Sequence, residues 1–191
     1  SQIPYQKFKL GVDAYSRYDY EKAIEWFNSA RLDADEKLKK DILTIFQNMS
    51  SELLDNIENH KNEMSIADAE KLARLALELH PESKRYPRVM AGLYMDKAKL
   101  NTKIGNYSSA IENYYQAFQL HPETEYIVIE KLHSIANAIM KDAYLSYKEN
   151  EIYMVLKSMK DFTQLQPQMA DELQPYIFKL ETQLEGGYSN K

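Results

Sequence analysis

The chain has 191 residues, enough for a domain that buries roughly 70% of its unfolded surface without the help of metals or disulfides. Its 24 Lys and Arg against 29 Asp and Glu leave a net charge of −5, too acidic for a protein whose main partner is a phosphate backbone. The lack of cysteine excludes a thiol nucleophile, a thiolate metal site and any disulfide, while leaving the compartment open.

No apolar stretch approaches the length of a membrane span, so a soluble chain without direct membrane insertion is expected, cytoplasmic or extracytoplasmic. It opens at Ser1 with no charged-then-apolar leader, as expected of a processed chain or a piece of a longer one. Only 5 Gly and 6 Pro break the sequence, which favours long helices. The first element, KLGVDAYSRYDYEKA, sets Leu10, Gly11 and Ala14 on one helical face, with Tyr20 just ahead of a second helix. That second helix carries Ala23, Phe27 and Ala30 and stops at Asp35.

The same spacing returns three times down the chain. It is found at Ala69, Ala73, Ala76 and Pro81, again at Ala110, Tyr114, Ala117 and Pro122, and more loosely at Val155, Met159, Phe162 and Pro167. The outer two helical positions lie seven apart on one face, where small residues admit a neighbouring helix, and the middle one takes a bulky filler. Proline beyond the last turn ends the helix in three of the copies. Between the copies, Leu38, Ile42, Ile45, Phe46, Met49, Leu53 and Ile57 keep helical spacing without a break, as do Ile127, Leu132, Ile135, Ile139, Ala143 and Tyr147. After Pro167, MADELQPYIFKLETQLE reads as a closing helix with Tyr176, Ile177, Leu180 and Leu184 inward, and with Pro175 in its first turn or at a kink. The terminal GGYSNK reads as a linker.

Aromatic, Leu-Gly, Tyr, then Ala, Phe, Ala and Pro across a helix-turn-helix resembles the tetratricopeptide repeat. The third copy adds the turn IGNYSSA, with Gly105 and Tyr107 where that family has glycine and tyrosine. The resemblance implies an all-α fold, a right-handed helical-repeat solenoid of four helix pairs with a C-terminal capping helix. It divides a single domain, 1–185, into repeats at 4–35, 36–81, 82–122 and 123–167 and a cap at 168–185, with 186–191 as a flexible tail. The copies begin 46, 41 and 45 residues apart, against about 34 in the family, so the first helices of the later repeats are expected to be lengthened by roughly two to three turns.

Motifs for chemistry are missing. His80 and His121 precede prolines at helix ends, where a ring complements the negative end of the helix dipole. His60 and His133 stand alone in long helices without the spacing of a zinc site, and no phosphate loop or nucleophile elbow occurs. No enzyme, cofactor or metal is expected. The 15 tyrosines are the surplus feature, and Tyr20, Tyr107 and Tyr114 belong to packing positions of the resemblance.

The resemblance implies that one face of the first helices lines a concave groove. On that face lie Tyr5, Phe8, Val12 and Tyr15, then Met95, Lys99 and Lys103, then Met140, Tyr144, Tyr147 and Lys148. Aromatics, methionine and a few cations suit a peptide of acidic character, although the same stripe also serves plain inter-helix packing. The family's clamp for acidic chaperone tails is not supported, because Phe8 and Val12 occupy the places of its lysine and asparagine. Two functions are left: an adaptor that holds a partner peptide in the groove, and a scaffold whose long helices pack on folded neighbours in a larger assembly.

Overall fold

A computed structural model describes residues 2–142, 149–165, 167 and 170–186. Among the described residues there are nine α-helices, one 3-10 turn and no strand. Tertiary contacts gather into two compact units, Ser1–Tyr86 and Pro87–Lys191.

The first unit begins with α1 (Ile3–Ser16) and α2 (Tyr20–Leu32). Pro4 sits in the first turn of α1, where its missing N–H removes no helical bond. The turn out of α1 is a Schellman closure: Asp19 N–H donates to the Ala14 carbonyl at 3.0 Å and Tyr18 N–H to that of Tyr15 at 2.9 Å. Asp19 then caps α2, its Oδ1 accepting from Lys22 N–H at 3.2 Å. Between the two helices, Gly11 meets Phe27 so closely that a Cβ there would lie 2.6 Å from the ring, and only glycine fits. Ala14, Ala23, Phe27 and Ala30 are all buried.

The unit continues with α3 (Glu36–His60) and α4 (Ile66–Leu79), which pack on one another. Asp35 caps α3 through Leu38 N–H at 2.8 Å, and Ser65 caps α4 through Asp68 N–H at 3.1 Å. The α3 stripe at Leu38, Ile42, Phe46, Met49, Leu53 and Ile57 is buried as its period predicts, and Phe46 meets Phe27 edge-on at 5.9 Å. Ala69, Ala73 and Ala76 are buried on α4, and Ser50 on α3 donates to the Ala76 carbonyl at 2.6 Å. Lengthening falls unevenly. At 25 residues α3 exceeds the 14 of α1 by 11, about three turns, whereas α5 (Arg85–Lys103) has 19 and exceeds it by 5, little more than one.

The second unit takes α5 from Pro87 onward, then α6 (Tyr107–Leu120), α7 (Glu125–Asp142), α8 (Glu149–Leu165) and α9 (Ala170–Gly186). A 3-10 turn at Pro122–Thr124 separates α6 from α7. The α5–α6 turn repeats the first one, with Asn106 N–H to the Asn101 carbonyl at 2.8 Å and Gly105 N–H to that of Thr102 at 3.1 Å. One core joins all five helices: Ala98, Tyr114, Leu132, Met159 and Ile177 belong to it, with Ala110 and Ala117 wholly buried on α6. Val155, Met159 and Phe162, the loosest copy of the motif, are buried too. On α9, Ile177 and Leu180 are buried and Tyr176 and Leu184 pack at the core's edge. Pro175 lies inside α9, past its first turn. His80 and His121 are the C-caps of α4 and α6, where the sequence placed them.

Candidate functional site

The expected groove residues separate by unit. In the first, Tyr5, Phe8, Val12 and Tyr15 share one face of α1 at spacings of three and four, and Tyr5, Phe8 and Tyr15 are engaged by other elements of their own unit. Tyr5 donates its hydroxyl to Asp35 Oδ2 at 3.0 Å, so the carboxylate that caps α3 also anchors the start of α1. Two N–H and O–H donors, Leu38 first and Tyr5 second, hold the Asp35 carboxyl below the usual carboxylate range. The Tyr5 phenol is pushed up by the same hydrogen bond. Phe8 is half-buried with its ring 5.6 Å from Phe27. Tyr5 and Val12 keep 43% and 40% of their surface in solvent, more than Phe8 and Tyr15, which are half-buried.

Tyr15 leads to a residue that the sequence did not single out. Its hydroxyl donates to Glu52 Oε1 at 2.5 Å, and the hydroxyl of Tyr20 donates to Glu52 Oε2 at 3.0 Å. One carboxylate on α3 therefore receives a phenol from α1 and another from α2. The two rings lie 5.9 Å apart at an interplanar angle of 55°. Burial first, and the bond to Glu52 second, push the Tyr20 phenol up to about 12, and the same causes push Tyr15 further. No local signal could have found Glu52, which lies 37 residues from Tyr15 and has an ordinary amphipathic helix around it.

In the second unit the face is different. Met95 is half-buried against the core, and Lys99 and Lys103 are exposed one turn apart beyond it. Neither lysine has an ion pair among the described residues. A turn before Met95, a Cβ on Gly92 would have nothing within 4 Å. Met140 lies in α7 with its side chain outside the described ones, and Tyr144, Tyr147 and Lys148 lie outside the described residues altogether.

Among the described residues no group of three or more His, Cys, Asp or Glu could hold a metal ion, and no helix is long and apolar enough to cross a membrane. His133 sits 4.5 Å from the Tyr176 ring in a stacked pair, its Nε2 3.2 Å from the Glu172 carbonyl, an arrangement that joins α7 to α9. No protein-family model matches the chain, and comparison with characterised proteins found no match.

Proposed function

We propose that the chain is a tetratricopeptide-like solenoid of four helix pairs, α1/α2, α3/α4, α5/α6 and α7/α8, closed by α9, and that it acts as a non-catalytic protein-interaction module. Supporting the architecture are the two like Schellman turns and the burial of the motif alanines on α2, α4 and α6. The observation that carries the function is the α5 face. Lys99 and Lys103 stand exposed and without ion pairs among the described residues, beside half-buried Met95 and the open space at Gly92. Cations beside a methionine and a bare glycine suit an acidic partner segment with apolar side chains between its carboxylates.

Fluorescence anisotropy of a labelled peptide of alternating Glu and Leu tests this. Binding is expected to weaken about tenfold when Lys99→Glu and Lys103→Glu are combined, since reversing two charges turns attraction into repulsion. Equal binding by wild type and variant would refute it.

The scaffold reading draws support from α1. There Tyr5 and Tyr15 hold Asp35 and Glu52, and Phe8 lies against Phe27, so the stripe ties the unit together as packing would require. It predicts that no peptide of any charge binds the chain.

A further inference from the structure

The turn between α1 and α2 carries Tyr18, and the tyrosines on either side of it, Tyr15 and Tyr20, meet at one carboxylate. Glu52 accepts a phenol on each oxygen, and neutral donors leave its charge uncancelled. No Lys, Arg or His pairs with it among the described residues. Farther along the same helix the outcome is different: Asp55 and Glu58 share the guanidinium of Arg85 at 2.6 and 2.8 Å. Of these three carboxylates on α3, Glu52 is the one without a cation.

Tyr18 adds an independent observation. It is held at φ 60, in the left-handed region where a side chain is strained, by the same closure that places Gly105 at φ 80 in the α5–α6 turn. Glycine would satisfy that turn, yet an aromatic ring stands there with 79% of its surface exposed. Packing does not compensate either cost. Strain kept without an internal return points to a role outside the fold. Tyr18 also stands near enough to Tyr15 and Tyr20 to act electrostatically on both phenols.

We propose that Tyr15, Tyr18, Tyr20 and Glu52 form a cation site for an alkylammonium group, carried by a lysine side chain of a partner protein. The rings of Tyr15 and Tyr20, tilted 55° to each other, make two walls of a corner rather than a closed stack, and the exposed ring of Tyr18, on the turn between them in the chain, would close it from the solvent side as the third. Phenols that donate to a carboxylate become richer in electrons, which strengthens the attraction of their faces for a cation. Glu52 supplies the full charge, with lone pairs beyond the two its tyrosines occupy. Lysine, free or methylated, reaches such a corner on a thin alkyl stem. The site lies in the first unit alone and does not rest on the peptide reading of α5.

The test is a titration of the full chain, with its tyrosine rings observed by NMR, at constant ionic strength. The probes are tetramethylammonium and n-butylammonium, with tert-butanol as a neutral body of similar size. Saturable shifts confined to the rings of Tyr15, Tyr18 and Tyr20 are expected with at least one cation and none with tert-butanol. The tighter of the two cations tells methylated from free lysine. Tyr18→Gly keeps the turn and removes one wall, and it should weaken binding about two- to fivefold, the share of one exposed ring. Glu52→Gln should weaken it about tenfold. No saturable shift, an equal response to tert-butanol, or unchanged affinity in Tyr18→Gly overturns the proposal. Lys99→Glu with Lys103→Glu should leave these shifts alone, so the failure of one site does not count against the other.

Discussion

The α1/α2 and α5/α6 hairpins repeat one plan 87 residues apart, Ala23 answering to Ala110, and they part company on their outward face. Inside, Gly11 against Phe27 corresponds to Ala98 and Tyr114, and both rings are buried. Outside, Tyr5, Phe8, Val12 and Tyr15 correspond to Gly92, Met95, Lys99 and Thr102. Tyr5, Phe8 and Tyr15 engage neighbouring elements of the first unit, while Gly92 and Lys99 leave theirs open to solvent. The shared spacing thus fixes how two helices close on each other and leaves their outer stripe free to differ, engaged by neighbouring elements in one hairpin and open to solvent in the other.

Truncating the shared interior should have the largest effect. Phe27→Ala should cost about 3 to 5 kcal/mol, because a buried ring is lost from between Phe8 and Phe46 and the gap closes only in part. Urea melts read by circular dichroism measure it. A loss under about 1 kcal/mol would mean that the hairpin does not depend on its filler.

Overpacking the small positions comes next. Gly11→Ala pushes a methyl into the Phe27 ring and Ala117→Leu pushes an isobutyl group into a wholly buried site, each at about 1 to 3 kcal/mol. If Gly11→Ala melts like wild type, the first hairpin is looser than the second.

Alkaline pH separates the hairpins in a different way. The Tyr15 and Tyr20 phenols titrate higher in the folded chain than the ordinary phenol near 10, so the folded state favours their neutral form. Their contribution is whole below pH of about 10 and is lost as pH rises through about 12, because the unfolded chain then releases protons the folded chain keeps. Burial also pushes Tyr114 up, so the second unit loses stability in the same direction. Melts at stepped pH on Tyr15→Phe with Tyr20→Phe should show a shallower alkaline loss that retains the part due to Tyr114. An unchanged slope would show that the bonds to Glu52 do not hold in solution.

The smallest effect expected is a gain. Tyr18→Gly relieves a left-handed side chain but frees the unfolded backbone, for a net stabilisation below about 1 kcal/mol. A clear loss in thermal melts would mean that the Tyr18 ring holds the turn together and is not held for something else.

Helix content, the burial of the motif alanines and the stops near Asp35, Pro81 and Pro122 were legible in the sequence, because helical period, capping and proline act over a few residues. The stripe on α1 was legible as a stripe. What it touches was not. Whether an aromatic at a helical i, i+3, i+7 spacing meets solvent or a neighbour depends on where the next helix lies, and that is set by packing across dozens of residues. Tyr15 and Glu52 are joined over 37 residues, Tyr5 and Asp35 over 30, and nothing in either neighbourhood announces the other. The left-handed Tyr18 shows the same division. Sequence alone gave a turn between two helices, whereas the Schellman bonds from Asp19 and Tyr18 decided that its residue would be strained and exposed. Local rules of the chain determined the helices and their small-residue faces; only the tertiary structure decided which side chains the α1 and α5 stripes meet, since charge and hydrogen-bond partners are chosen by distance in space.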